Sequence, residues 1–295
     1  MLTDSILSSY SEIFLKADQK KRGNNPIPSF LFIHNDHTSP FFNLALEEYI
    51  LREFNHDCFM LWKNSPCVVI GRNQNALSEI NVDYIKERNI PVVRRLSGGG
   101  AVFHDLGNLN YTFIVNDKHG RFPFEKLTAP IEKFTAPIID VLQRLSIKAE
   151  RSRRNDLTID GKKFSGSAQY RHKNRLLHHG TLLFSSDIDA LCSALAANQP
   201  GAGAEFAGRR GIRSVISQVT NISDHTKGPL TIAQFHDLIV EHIKGMYKDS
   251  LAYTLTDNDL KRIDRLVAEK YSTWEWNFGS SPQGRRQEVC ISPDS

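Results

Sequence analysis

Three consecutive glycines, Gly98-Gly99-Gly100, follow a strand-like run at residues 90–96 and precede another at 110–115. Glycine lacks a Cβ and weakens the interior of any helix or strand, so 97–108 reads as a connection between two strands. The remaining elements are arranged around that connection. Residues 29–33 and Cys67-Val68-Val69-Ile70, ended by Gly71, read as strands, and 43–54 as a helix carrying Leu44, Leu51 and the pair Glu47-Glu48. Ile131, Phe134, Ile138, Val141, Leu142 and Leu145 recur at helical spacing. Asp160-Gly161 separates Leu157-Thr158-Ile159 from Lys162-Lys163-Phe164, the pattern of a two-residue hairpin turn whose central residues both take positive φ. A strand at 176–184 follows. Thr231-Ile232-Ala233-Gln234 is a capping box that opens a helix, and Thr256 caps another bearing Leu260, Ile263, Leu266 and Val267. Strands come in clusters with helices inserted singly, which predicts an α+β fold with a mixed or antiparallel sheet and flanking helices.

The bulk numbers narrow the class of function. Over 295 residues, 40% hydrophobic and 24% charged side chains are ordinary for a globular protein, and the net charge is only +4. That excess suits an acidic partner such as a nucleotide but is too small for nucleic-acid binding, and no basic stripe interleaved with aromatics is present. Cys58, Cys67, Cys192 and Cys290 form no C-x-x-C pair, so the expectation is a reducing, cytoplasmic setting without structural zinc. No apolar run is long enough for a bilayer. Ile6, Leu7, Tyr10, Ile13 and Phe14 recur helically before Lys20-Lys21-Arg22, but Asp4, Glu12 and Asp18 interrupt them, unlike an organelle presequence. Residues 1–28 are therefore read as a helical extension and linker.

Chemistry concentrates in two segments. In Arg94-Arg95-Leu96-Ser97-Gly98-Gly99-Gly100-Ala101-Val102-Phe103-His104, bare backbone N–H groups can form a concavity for phosphate oxygens, with Arg95 as a bidentate cation beside it. Neither G-x-x-x-x-G-K-[ST] nor G-x-G-x-x-G is present, so the segment is not a familiar nucleotide loop. In Arg153-Arg154-Asn155-Asp156-Leu157, paired Asn and Asp supply hard oxygens for Mg²⁺. The hairpin then places Lys163 on a strand, where a fixed ammonium can meet a carboxylate and a phosphate together. Ser165-Gly166-Ser167-Ala168 leave room beside it. Adjacent strand residues face opposite sides, so Lys162 is the solvated lysine.

Read together, 94–108, 155–168, His178-His179-Gly180-Thr181, Asn43-Leu44-Ala45-Leu46-Glu47-Glu48 and Val69-Ile70-Gly71-Arg72-Asn73-Gln74 resemble the lipoate–protein ligase family, in order and spacing, from about Phe30 to about Asn277. The resemblance implies the fold shared by biotin and lipoate–protein ligases, related to the catalytic domains of class II aminoacyl-tRNA synthetases. It also implies the reaction: lipoate is adenylated by ATP with release of pyrophosphate, and the lipoyl group passes to a lysine of an acceptor. Carried onto this sequence, Lys163 is the catalytic residue, touching both the lipoyl carboxyl group and the phosphate. Arg95, Gly100, Ala101, Val102, Phe103 and Asn155 join Lys163 at ATP, and Asp156 binds Mg²⁺. Ser97, His104, Ala168 and His179 join Lys163 at lipoate, and Trp62 matches a tryptophan near that pocket.

The acceptors so implied are the lipoyl domains of 2-oxoacid dehydrogenase subunits and the glycine cleavage H protein, with a separate accessory polypeptide as a further partner. The alternative is an octanoyl or lipoyl transferase of the same fold; those families use a cysteine as acyl carrier, and Cys58, Cys67 and Cys192 do not stand where they place theirs. A silent lipoyl-domain-binding scaffold has no need of Arg95, Lys163 and Asp156, and the Gly-Arg-rich loop of biotin ligases is missing. Residues 29–250 are expected to form the catalytic domain. Trp274-Glu275-Trp276-Asn277-Phe278-Gly279 resembles the opening of a small accessory domain, placed with a helix at 251–279, and the polar 280–295 is expected to be a disordered tail.

Overall fold

The computed structural model describes residues 30–117, 131–152, 156–195, 214 and 217–281. The expectations for 1–28, Asn155, Cys290 and the stretch after 281 lie outside these residues. In chain order the strands are β1 (Phe30–His34), β2 (Asp57–Trp62), β3 (Cys67–Ile70), β4 (Val92–Arg94), β5 (Val102–His104), β6 (Asn108–Asn116) and β7 (Ala149–Arg151). Then follow β8 (Leu157–Ile159), β9 (Lys162–Ser165), β10 (Ser167–His172), β11 (Arg175–Leu183) and β12 (Ser250–Thr254). The main helices are α1 (Pro40–Glu53), α2 (Ala76–Glu79), α3 (Val82–Glu87), α4 (Glu132–Arg144), α5 (Ile188–Ala194), α6 (Ile232–Met246) and α7 (Asp257–Leu266).

The central sheet is mixed, in the order β10-β11-β6-β2-β1-β12. Its β1 runs parallel to both β2 and β12, whereas β2, β6, β11 and β10 pair antiparallel in succession. Side chains alternate across a strand, and both faces are apolar here. Phe30, Phe32, Phe59 and Phe113 pack on one side with Phe134 and Ile138 of α4 and Phe235, Ile239 and Ile243 of α6. Leu31, Ile33, Met60 and Ile114 pack on the other with Leu44, Ile50 and Leu51 of α1. A sheet covered on both faces needs continuous apolar strands, which is why β2, Asp-Cys-Phe-Met-Leu-Trp, shows no alternation and escapes a periodicity reading.

Helix α1 is buried along nearly its whole length, including Glu47 and Glu48. It starts at Ser39, whose Oγ accepts from the Phe42 N–H, with Pro40 in the first turn. The second sheet, β4-β3-β5, carries the glycine connection between β4 and β5, and the third, β7-β8-β9, carries the lysine hairpin. Asp160 (φ 50°) and Gly161 (φ 76°) both take the left-handed conformation that the Asp-Gly turn requires. Both capping boxes form, at Thr231 and at Thr256. The boundary drawn at residue 250 falls at the first residue of the edge strand β12. Beyond it α7 packs on α1, with Ile263 and Tyr271 buried in the same cluster as Leu44 and Ile50.

Candidate active site

The glycine connection is a braced structure. Gly99 has φ 96°, and a Cβ on Gly71 would lie 2.2 Å from the Gly99 carbonyl oxygen, so the loop rests directly on the end of β3. Arg95 is buried beneath it. Its Nη2 donates to the carbonyls of Gly98 (2.7 Å) and Gly100 (2.8 Å), its Nη1 to Val69 O (3.1 Å) and its Nε to Ser97 Oγ (3.0 Å). Burial pushes this guanidinium down to about 10, still far above neutral pH. With these donors turned inward on the loop carbonyls, Arg95 fixes the shape of the loop backbone. From the outer side Ser214 Oγ accepts from Ala101 N–H (2.8 Å) and Gln74 Nε2 (3.2 Å) and donates to the buried Glu79 carboxylate. Arg94, fully buried, grips the turn below: its Nη1 donates to the carbonyls of Gly71, Arg72 and Gln74, and its Nη2 to Asn277 O.

From Arg95 a chain of hydrogen bonds crosses the interior to α1. Ser97 Oγ lies 2.6 Å from His179 Nε2, and His179 Nδ1 lies 2.9 and 3.0 Å from the two Glu47 oxygens. Thr112 Oγ1 donates to the same carboxylate (2.6 Å) and accepts from Trp62 Nε1 (2.9 Å). With Arg95 donating to Ser97 and Ser97 to His179, every donor in the chain points toward Glu47. A buried carboxylate is tolerable only when its lone pairs are taken up in this way. His104 lies nearby with its ring 6.0 Å from that of Trp62. Its Nδ1 accepts from Asn64 Nδ2 (3.0 Å), which leaves its Nε2 as the N–H, buried and without a partner among the described residues. Burial, helped by Arg95 and His179, drives His104 down to about 3, so it is neutral and a donor.

The lysine hairpin completes the geometry. Lys163 is half-buried with Nζ 2.9 Å from Asp156 Oδ1, while Lys162 is exposed. A Cβ on Gly166 would lie 3.0 Å from Lys163 Nζ, so glycine there leaves the ammonium its room. Lys163 is fixed by its backbone too: its N–H donates to Gln218 O (2.8 Å) and its carbonyl accepts from Thr220 N–H (3.0 Å). Gly166 N–H donates to Thr181 Oγ1 (3.2 Å). The hairpin thus meets β11 at Thr181 and the glycine loop meets it at His179. Those residues share a face of one strand and are about 7 Å apart along it.

The residues singled out in the sequence are placed as follows. Ser97, His104, His179 and Arg95 come together inside, and Ala168 is half-buried on β10 opposite His179. Gly100 and Ala101 form the loop's outer wall under Ser214, and Val102 opens β5. The Phe103 side chain sits in the core of the second sheet, so only its backbone can face a ligand. Lys163 and Asp156 pair on the hairpin. His178, the neighbour of His179, points to the opposite face, stacked 4.6 Å from Phe134 and 3.0 Å from Gln169 Nε2. Sequence reading gave no role to Glu47, Glu79, Arg94 or Ser214. For Glu47 and Glu48 a signal existed: two carboxylates inside an otherwise apolar helical run.

Residues 39–244 match the family described as Lipoyl protein ligase A/B catalytic domain. Lipoate–protein ligase 1 of Staphylococcus aureus is 41% identical over 255 residues, spanning 85% of this chain and 74% of that protein. Among solved structures, the bi-partite lipoate protein ligase described with its E2 lipoyl domain from Thermoplasma acidophilum superposes with TM-score 0.71 at 26% identity, covering 90% of this chain and 100% of that one. The P. falciparum LipL1 structure in complex with lipoate gives 0.67 at 27%, covering 87% and 76%.

Proposed function

The chain belongs to the lipoyl protein ligase A/B catalytic-domain family, and we propose that it acts as an ATP-dependent lipoate–protein ligase. One observation carries this reading from the side of geometry. Ser97, at the head of the glycine loop, bonds His179, and Gly166, which borders the Lys163 ammonium, bonds Thr181 two residues along the same face of β11. A carboxylate is a poor electrophile, and making it a mixed anhydride with AMP requires two anionic reactants to be held together. Lys163 supplies the positive charge between them. The loop amides and Arg95 behind them offer a fixed, positive surface for the nucleotide. Asp156 is the carboxylate for Mg²⁺. Bound there, Mg²⁺ would neutralise phosphate charge.

Lipoate in this reading lies along Ser97, His104, Ala168 and His179, where the His104 Nε2–H is a donor without a partner among the described residues. A lysine of an acceptor lipoyl domain then attacks the mixed anhydride and releases AMP. The acceptors are lipoyl domains of 2-oxoacid dehydrogenase subunits and the H protein. No helix among the described residues is long and apolar enough to cross a membrane.

Two of the described cysteines are poorly suited to carry an acyl group, which favours a ligase over an acyl-cysteine transferase. Cys58 and Cys67 are buried, and burial pushes both thiols up, that of Cys58 to about 12, so neither is a ready thiolate. Cys192 is exposed on α5, in a helix that packs on the second sheet. Incubation with lipoate, Mg-ATP and a lipoyl domain should add one lipoyl group to the acceptor, read by intact mass. Modification without ATP, from an acyl carrier protein thioester, would replace the ligase reading with the transferase one.

A further inference from the structure

Arg72 follows Gly71 at the end of β3, beside the glycine loop. Its N–H donates to Ser97 O (2.9 Å) and its carbonyl accepts from Arg94 Nη1 (3.0 Å). Its guanidinium carbon lies 5.9 Å from the Tyr170 ring centroid and 5.8 Å from that of Trp276, so two aromatic faces hold the side chain. Yet the residue is exposed, and among the described residues its guanidinium makes no hydrogen bond or ion pair.

The neighbouring cations are already engaged. Arg95 is turned onto the loop carbonyls and Arg94 onto the 71–74 turn and residues 276–281. Lys270 pairs with the buried Glu48 carboxylate (2.6 Å) and lies 4.0 Å from the Trp276 ring. Positive charge is concentrated here: burial is the main reason Arg94 and Lys270 are pushed down, and repulsion from Arg72 adds to it in both. A cation fixed against like charges, with unspent planar donors at the rim of a glycine loop, matches a polyanion with several oxygens in reach.

We propose that Arg72 binds the phosphate chain of the nucleotide beyond the α-phosphate, and so also the pyrophosphate product. It is a substrate-binding role distinct from that of Lys163, and it rests on reading the site as nucleotide-dependent. Arg72 then supplies the direct cation that Arg95, spent on the loop, does not.

The test is calorimetry with the full chain and its Arg72→Gln and Arg72→Lys variants, titrated separately with Mg-ATP, AMP, pyrophosphate and lipoate. Loss of a charge-assisted contact predicts that Arg72→Gln weakens ATP and pyrophosphate binding about tenfold or more. AMP and lipoate affinity and the Tm should stay unchanged. Arg72→Lys should recover part of the loss, because an ammonium keeps the charge but not the planar fork. Arg88→Gln, a change at an exposed arginine on Tyr84, serves as the neutral control. Unchanged ATP affinity would overturn the proposal, as would a loss confined to lipoate or to transfer from pre-formed lipoyl-AMP. Should the wild-type chain bind no ATP, the ligase reading fails, and Arg72-dependent pyrophosphate binding still decides this one.

Discussion

The glycine loop at 98–101 is held from inside by Arg95 and from outside by Ser214, and its β3 neighbour Gly71 touches it backbone to backbone. Lys163, by contrast, stands half-buried on a hairpin whose turn is open to solvent, with one carboxylate partner. The loop is a shape that folding has already fixed. The hairpin is a charge set beside a solvent-facing turn. Damage to the first should therefore appear in stability and binding together, and damage to the second in chemistry alone.

The largest effect should come from the hairpin. Lys163→Ala is expected to lower lipoyl-AMP formation by about a thousandfold or more, the scale of losing a main electrostatic group at a reacting centre. Its Tm should shift by no more than a few degrees, because a half-buried ion pair contributes little to folding. Rapid-quench assay of lipoyl-AMP beside a thermal melt checks both halves, and a large Tm loss would erase the contrast between the two regions.

The loop should fail in the other manner. Gly71→Ala puts a methyl group 2.2 Å from the Gly99 carbonyl, a backbone clash that no rotamer relieves. It should cost about 1–3 kcal/mol in urea unfolding and weaken ATP binding as well. Gly98 provides the internal control, since a Cβ there meets nothing within 4 Å. Gly98→Ala should leave stability within about 0.5 kcal/mol of wild type. Equal behaviour of the two variants would mean that the loop is not braced as described.

Acid acts on a third part of the interior, its buried histidines. Burial lowers both His104 and His178 to about 3, so the folded state keeps them neutral while the unfolded chain protonates near the ordinary histidine value of 6.5. The stability they contribute is complete above that value and is lost as pH falls from about 6.5 toward 3, by up to about 1.4 kcal/mol per pH unit for each. Urea midpoints between pH 7 and 5 should fall for the wild type and less steeply for His178→Gln. Parallel profiles would contradict the assignment. The smallest effect belongs to Lys162→Ala, where an exposed side chain beside the turn should change neither activity nor stability measurably.

How much of this was legible beforehand follows the range of the forces involved. The Asp160-Gly161 turn, the capping boxes at Thr231 and Thr256 and the contrast of Lys163 with Lys162 are local, and the sequence displays them directly. Strand β10, Ser-Ala-Gln-Tyr-Arg-His, is half-exposed and polar, and only its pairing with β11 makes it a strand. Likewise β5 is three residues long and emerges from the glycine loop only because Cys67 to Val69 of β3 pair with it. The site divides in the same way. Arg95 carries a sequence signal as a cation near glycines, yet which way its donors turn depends on Val69, Gly98 and Gly100 around it. The Glu47–His179–Ser97 chain joins three distant segments, so no spacing rule could have shown it.

Lipoate-dependent exchange of labelled pyrophosphate into ATP reads carboxylate activation by the glycine loop and Lys163 without any acceptor. The purified chain should catalyse exchange only when lipoate and Mg²⁺ are present, and Lys163→Ala should abolish it while still folding. Absence of exchange from the folded wild-type chain, together with ATP-independent acyl transfer to a lipoyl domain, would show that the chain is not a ligase.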